Sequence, residues 1–226
     1  MNYDAYQDQV VQRAGESVLA TNKVLRNTYL LLSMTLAFSA VMTFVGTQLQ
    51  LTGIHGIICW AVGFGLLFLT RYLRNSPLGL VSVFGFVGAM GLSIAPTISA
   101  YLAIYANATE LIMTSLALTS GIFISLSAIA IVTKKDFGFL GKFLFIGLIV
   151  GIIAAVANIF FQIPALSLAI SGMFVFIFSA YILYDTSRII NGGETNYIMA
   201  TISLYLDILN LFLSLLHLLM ALAGDD

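Results

Sequence analysis

The stretch from Tyr184 to Phe212, YDTSRIINGGETNYIMATISLYLDILNLF, decides how this chain is read. It consists of two apolar runs hinged at NGGETN, with Asp185 before the hinge and Asp207 after it. The chain around it is 60% hydrophobic and 8% charged, with a mean hydropathy of +1.04. Soluble domains are about a quarter charged. Runs of about 20 apolar residues cross a bilayer as helices, because lipid offers backbone groups no hydrogen-bond partner. The expected fold class is all-α, a polytopic membrane protein.

Working outward from the hinge, seven such runs are expected, at 27–48, 53–73, 78–101, 108–132, 139–161, 165–190 and 197–222. The links between them are too short for a soluble domain. The chain therefore divides into a polar tail at 1–26, a seven-helix transmembrane domain at 27–222 and a short tail at 223–226. The first 26 residues lack an apolar core, so a cleavable signal peptide is not expected there. Pro77 and Pro164 stand where spans three and six begin and need no donor N–H. Pro96 is expected to kink span three. Gly147 and Gly151, and likewise Gly85, Gly88 and Gly91, have spacings that let helices approach closely.

Orientation follows from the basic residues. Arg13, Lys23 and Arg26 precede span one, and Arg71 and Arg74 follow span two. Lys134, Lys135 and Lys142 lie between spans four and five, and Arg188 closes span six. With seven spans, all nine Lys and Arg fall on one side, that of the N-terminus. Cytoplasmic loops collect such residues, so the N-terminus is expected in the cytoplasm and the C-terminus outside. Six or eight spans would scatter the charges. A formal net charge of −1 offers no surface to nucleic acid. The single cysteine, Cys59, rules out an intrachain disulfide. No His, Cys, Asp or Glu cluster has metal-ligand spacing, so neither metal nor cofactor is expected.

The hinge is centred on residue 196, and each aspartate lies 11 positions from it. Allowing for the turn, both reach about 10 Å into the membrane at 1.5 Å per residue. On span seven, Ser203, Asp207, Asn210, Ser214 and His217 recur at intervals of four and three, one polar stripe along an apolar helix. Such a stripe faces protein or water, because an unpaired carboxylate in lipid costs about 2.5–3.5 kcal/mol on insertion scales. Two carboxyl groups in contact share a proton, and a neighbouring guanidinium favours the ionised form. Arg188, three residues after Asp185, and Arg71 and Arg74 at the same membrane surface are the candidates for that latch. Asp185 and Asp207 are thus the candidate proton-sensing pair. The alternative is structural: Asp185 reaching the interface beside Arg188, and Asp207 a satisfied polar group.

Two enzyme classes fit poorly. Intramembrane aspartyl proteases carry Tyr-Asp, matched at Tyr184-Asp185, and Gly-x-Gly-Asp, where this chain has Leu204, Tyr205 and Leu206 before Asp207. A rhomboid-like serine protease needs Gly-x-Ser-Gly and a nearby histidine. Ser120 lacks the first glycine, and His217 falls in the wrong layer. The chain is expected not to be an enzyme.

LYDTSRII at 183–190 and LYLDILNLF at 204–212 resemble the C-terminal signature of the transmembrane Bax-inhibitor-motif family. KVLRNTYLLLSMTLAFSA at 23–40, KKDFGFLG at 134–141, VANIFFQIPALSLAIS at 156–171 and GGETNYIMATISLY at 192–205 are similar to its proteobacterial members. The resemblance implies a seven-helix bundle in the bacterial inner membrane with a periplasmic C-terminus. It implies a partnership with the FtsH membrane protease, in which the protein is a slow substrate and inhibitor engaged through its cytoplasmic tail. Other members resemble proton-sensitive calcium leak channels, in which an aspartate pair on spans six and seven is latched to an arginine of span two. Asp185 and Asp207 match that pair, Arg71 or Arg74 would be the arginine, and calcium would be a transient occupant. Some members also place an acid within span two, and this chain has none between Gly53 and Thr70. The expected partners are therefore FtsH, membrane lipids and calcium ions.

Overall fold

The computed structural model describes residues 3–223, with side chains at residue 19 and from residue 21 onward. Residues 1–2 and 224–226, parts of the two expected tails, lie outside the described residues. The fold is seven helices, with no strand among the described residues: α1 (Tyr3–Gln48), α2 (Gly53–Leu73), α3 (Pro77–Ile104), α4 (Ala108–Thr133), α5 (Leu140–Phe161), α6 (Pro164–Ile190) and α7 (Tyr197–Ala223). All seven are long and apolar enough to cross a bilayer, the eligible part of α1 being Thr21–Gln48.

The largest difference from expectation is at the start of α1. Its backbone is helical from Tyr3, well ahead of the apolar boundary. Hydropathy marks where a helix enters lipid. It does not mark where helical hydrogen bonding stops, and between residues 3 and 26 only Gly15 disfavours a helix. Elsewhere the chain ends its helices locally. Pro77 and Pro164 occupy the first turns of α3 and α6. Lys134 and Gln162 close α4 and α5 in the left-handed conformation, at φ 52° and 53°. The α3 helix continues through Pro96.

The bundle is built around α7, which packs against α1, α3, α4 and α6, while α2 is carried on α3 and α5 on α6. Half of the membrane-spanning window of α3 and of α7 is buried, against 11% for α5. In lipid, association depends on close packing more than on a hydrophobic force. Gly91 of α3 lies so near the Ser39 carbonyl of α1 that a methyl group there has no room. Thr43 of α1 uses the same approach to donate to the Gly91 carbonyl at 2.9 Å. On the periphery, Gly147 and Gly151 of α5 receive Ile177 and Phe174 of α6.

Candidate functional site

Asp185 lies in the last turns of α6, and Asp207 about a third of the way along α7. The turn between them sets their height. Gly192, at φ 74°, lets the chain leave α6, and the Arg188 carbonyl accepts from the N–H groups of Gly193 (2.8 Å) and Glu194 (3.2 Å). Asn196 then caps α7, its Oδ1 accepting from Ile198 and Met199 at 3.1 Å each. Its Nδ2 donates to the Arg74 carbonyl and to Asn75 Oδ1, which ties the hairpin to the α2–α3 turn.

With this register the two carboxyl groups are brought near enough to interact. Asp207 is only 6% exposed, and its Oδ2 is buried without a hydrogen-bond partner. Asp185 is the shallower of the two and accepts from Arg188 Nη1 at 3.4 Å. That contact is long and single, so it lacks the forked geometry of a strong guanidinium–carboxylate pair. The same guanidinium stands 5.5 Å from the centre of the Tyr184 ring. Of the three candidate latch residues, Arg188 touches the pair. Arg71 and Arg74 form no ion pair among the described residues, and Arg74 contributes its backbone carbonyl to Asn196 instead.

The stripe on α7 turns toward protein. Asp207 and Ser214 are buried, and Ser203, Asn210 and His217 are half-buried. Asn210 donates to the Leu206 carbonyl and Ser214 to the Asn210 carbonyl, so both bond back along their own helix. His217 differs. Its Nδ1 lies 3.0 Å from the Tyr101 hydroxyl of α3, and its Nε2 lies 2.9 Å from Ser167 Oγ of α6. It is a three-helix clasp at the end of the bundle remote from the basic residues.

Two tyrosines flank the pair, and only Tyr184, through the Tyr-Asp match, is singled out by the sequence. Tyr181 lies beside both carboxyls, and Tyr184 lies under Arg188. Each stands four positions before its partner on α6, so the helical repeat held the signal. Leu204 and Leu206, at the positions where glycines would admit a peptide, carry bulky side chains, the first buried and the second half-buried. Ser120 bonds to the Leu116 carbonyl while His217 is held by Tyr101 and Ser167.

A family profile described as "Inhibitor of apoptosis-promoting Bax1" matches residues 21–224. The protein named "Modulator of FtsH protease YccA" in Escherichia coli strain K12 is 47% identical over 94% of this chain and 97% of its own length. A protein of Escherichia coli O6:H1 named "Inner membrane protein YccA" matches to the same extent. The uncharacterized protein PA2604 of Pseudomonas aeruginosa is 47% identical over 90% of this chain and 91% of its own. Together with seven helices able to span a bilayer, this identifies a multi-pass protein of the bacterial inner membrane. The match covers every spanning helix, and the chain belongs to the Bax-inhibitor family so described.

Proposed function

We propose that this protein is a non-enzymatic modulator of the FtsH membrane protease, a slow substrate that occupies the protease and so restrains its action on other membrane proteins. One observation carries the reading: 47% identity over 94% of the chain to a protein named for modulating that protease. The proposed orientation puts the N-terminus in the cytoplasm and the C-terminus in the periplasm. It is supported by the placement of all nine basic residues at one end of the helix order. In that orientation the segment 1–26 is what the protease would engage first. A tagged copy should co-purify with FtsH and lengthen the life of another FtsH substrate, and removal of residues 2–20 should abolish both effects. Substrate lifetimes that ignore the protein would end this reading.

A second reading is favoured by the buried pair itself. Asp207 is held away from water beside Asp185, with Arg188 on the shallower partner. In this reading the protein is a proton-sensitive calcium leak in which loss or gain of a proton repacks α6 against α7. Vesicles carrying the protein should pass calcium in a pH-dependent manner, and Asp207→Asn should flatten that dependence. Flux no greater than that of empty vesicles, in wild type and variant alike, would sink it.

A further inference from the structure

A cavity of about 440 Å³ opens sideways between α1 and α4, and neither Asp185 nor Asp207 is among the residues that line it. Its floor is α7, where Tyr205, Ile208, Leu209 and Phe212 are buried. Its rim is exposed: Ala40 and Phe44 on one lip, Leu116 and Ser120 on the other. Ile98 and Leu102 of α3 bound it toward the end without basic residues. The lip residues lie in the second half of α1 and the first half of α4, so the mouth opens within the hydrocarbon of the leaflet opposite the basic end.

Three properties of the wall select its occupant. No ionisable carboxylate, amine, guanidinium or imidazole lines it, so it offers nothing to an ion or a charged headgroup. Its hydroxyl hydrogens are already committed. Ser39 donates to the Tyr205 hydroxyl, which donates in turn to the Val87 carbonyl, Thr43 bonds to the Ser39 and Gly91 carbonyls, and Thr47, Thr119 and Ser120 bond to carbonyls of their own helices. Water needs two to four partners to be held, and this wall has spent its donors. Size excludes a partner's helix. A single turn about 10 Å wide and 5.4 Å long fills ~420 Å³, which is the whole cavity. A flexible hydrocarbon chain fits the volume, the apolar wall and the sideways mouth.

We propose that this cavity is a binding site for one acyl chain of a phospholipid drawn from the surrounding leaflet. The chain enters between Phe44 and Leu116 and rests on Ile208 and Phe212. The headgroup stays outside and is not read, so the site accepts phospholipids by their tails.

Photocrosslinking of the full-length protein tests this. The protein is reconstituted in phosphatidylcholine vesicles containing a small fraction of phosphatidylcholine with a diazirine midway along one chain, irradiated, and mapped by peptide mass spectrometry. Adducts are expected on the floor of α7, at Ile208, Leu209 or Phe212, as well as on the outward face of α5. The rim variants Ala40→Trp and Ser120→Phe, both at exposed positions on opposite lips, should each cut the α7 adducts at least fivefold and leave α5 labelling unchanged. Adducts confined to outward faces would overturn the proposal. So would α7 labelling that survives both rim variants, or crosslinks showing a second copy of the chain in the mouth.

Discussion

Ser39 of α1 and Tyr205 of α7 stand 166 positions apart in the chain and share a buried hydrogen bond of 2.7 Å. The Tyr205 ring also packs edge-on against Phe86 of α3 at 5.6 Å, so one side chain joins three helices. Tyr205→Phe keeps the ring and removes the hydroxyl, leaving Ser39 Oγ buried without its partner. It should cost about 1–2 kcal/mol, read as a lower unfolding temperature of the detergent-purified protein. An unchanged temperature would show that the bond contributes nothing.

Arg188 is the guanidinium in contact with Asp185, whereas Arg71 and Arg74 form no ion pair among the described residues. If the carboxyl pair governs calcium flux, Arg188→Gln should change its pH dependence, and Arg71→Gln and Arg74→Gln should retain the wild-type curve. Vesicle flux measured across a pH series separates the three. A changed curve for Arg71→Gln or Arg74→Gln beside an unchanged one for Arg188→Gln would assign the latch to α2.

His217→Ala removes a ring that bonds to Tyr101 and Ser167 at once. Two hydroxyls on α3 and α6 lose their partner, and about 2–3 kcal/mol of stability should go with them. Thermal unfolding read by circular dichroism would record the loss. His217→Gln can keep only one of the two bonds and should fall between the parent and the alanine variant.

Two glycines make an internal control. Gly91 faces the backbone of Ser39, so Gly91→Ala must push α1 from α3 and should cost about 1–3 kcal/mol. Gly121 of α4 has open space where a methyl group would go, so Gly121→Ala should be neutral or stabilise by up to about 1 kcal/mol. Equal effects of the two substitutions on the unfolding temperature would refute this account of α1–α3 packing.

Much of the fold was legible because lipid simplifies the reading. An apolar run such as Gly53–Leu73 has one stable conformation in a bilayer, and its ends are marked by Thr52 and Arg74. The sequence sets Asp185 and Asp207 at equal distances from the hinge. The order of the helices across the bundle did not follow. Hydropathy separates lipid from water but treats lipid and protein neighbours alike, so it does not reveal that α7 is central and α5 peripheral. The partners of His217 come from α3 and α6, and no spacing within span seven points to them. The sequence gathers the basic residues at the pair's end of the bundle, yet which guanidinium reaches Asp185 depends on helix rotation. That depends in turn on close contacts such as Gly91 against Ser39.

The clasp at His217 and the turn at Asn196 pin α6 and α7 together at opposite ends, like a bow held at both tips. Any rearrangement around the carboxyl pair must then be absorbed as curvature of the two rods between fixed points. Parting them would first require one tip to be released, so flexing at mid-length is the motion this architecture leaves open.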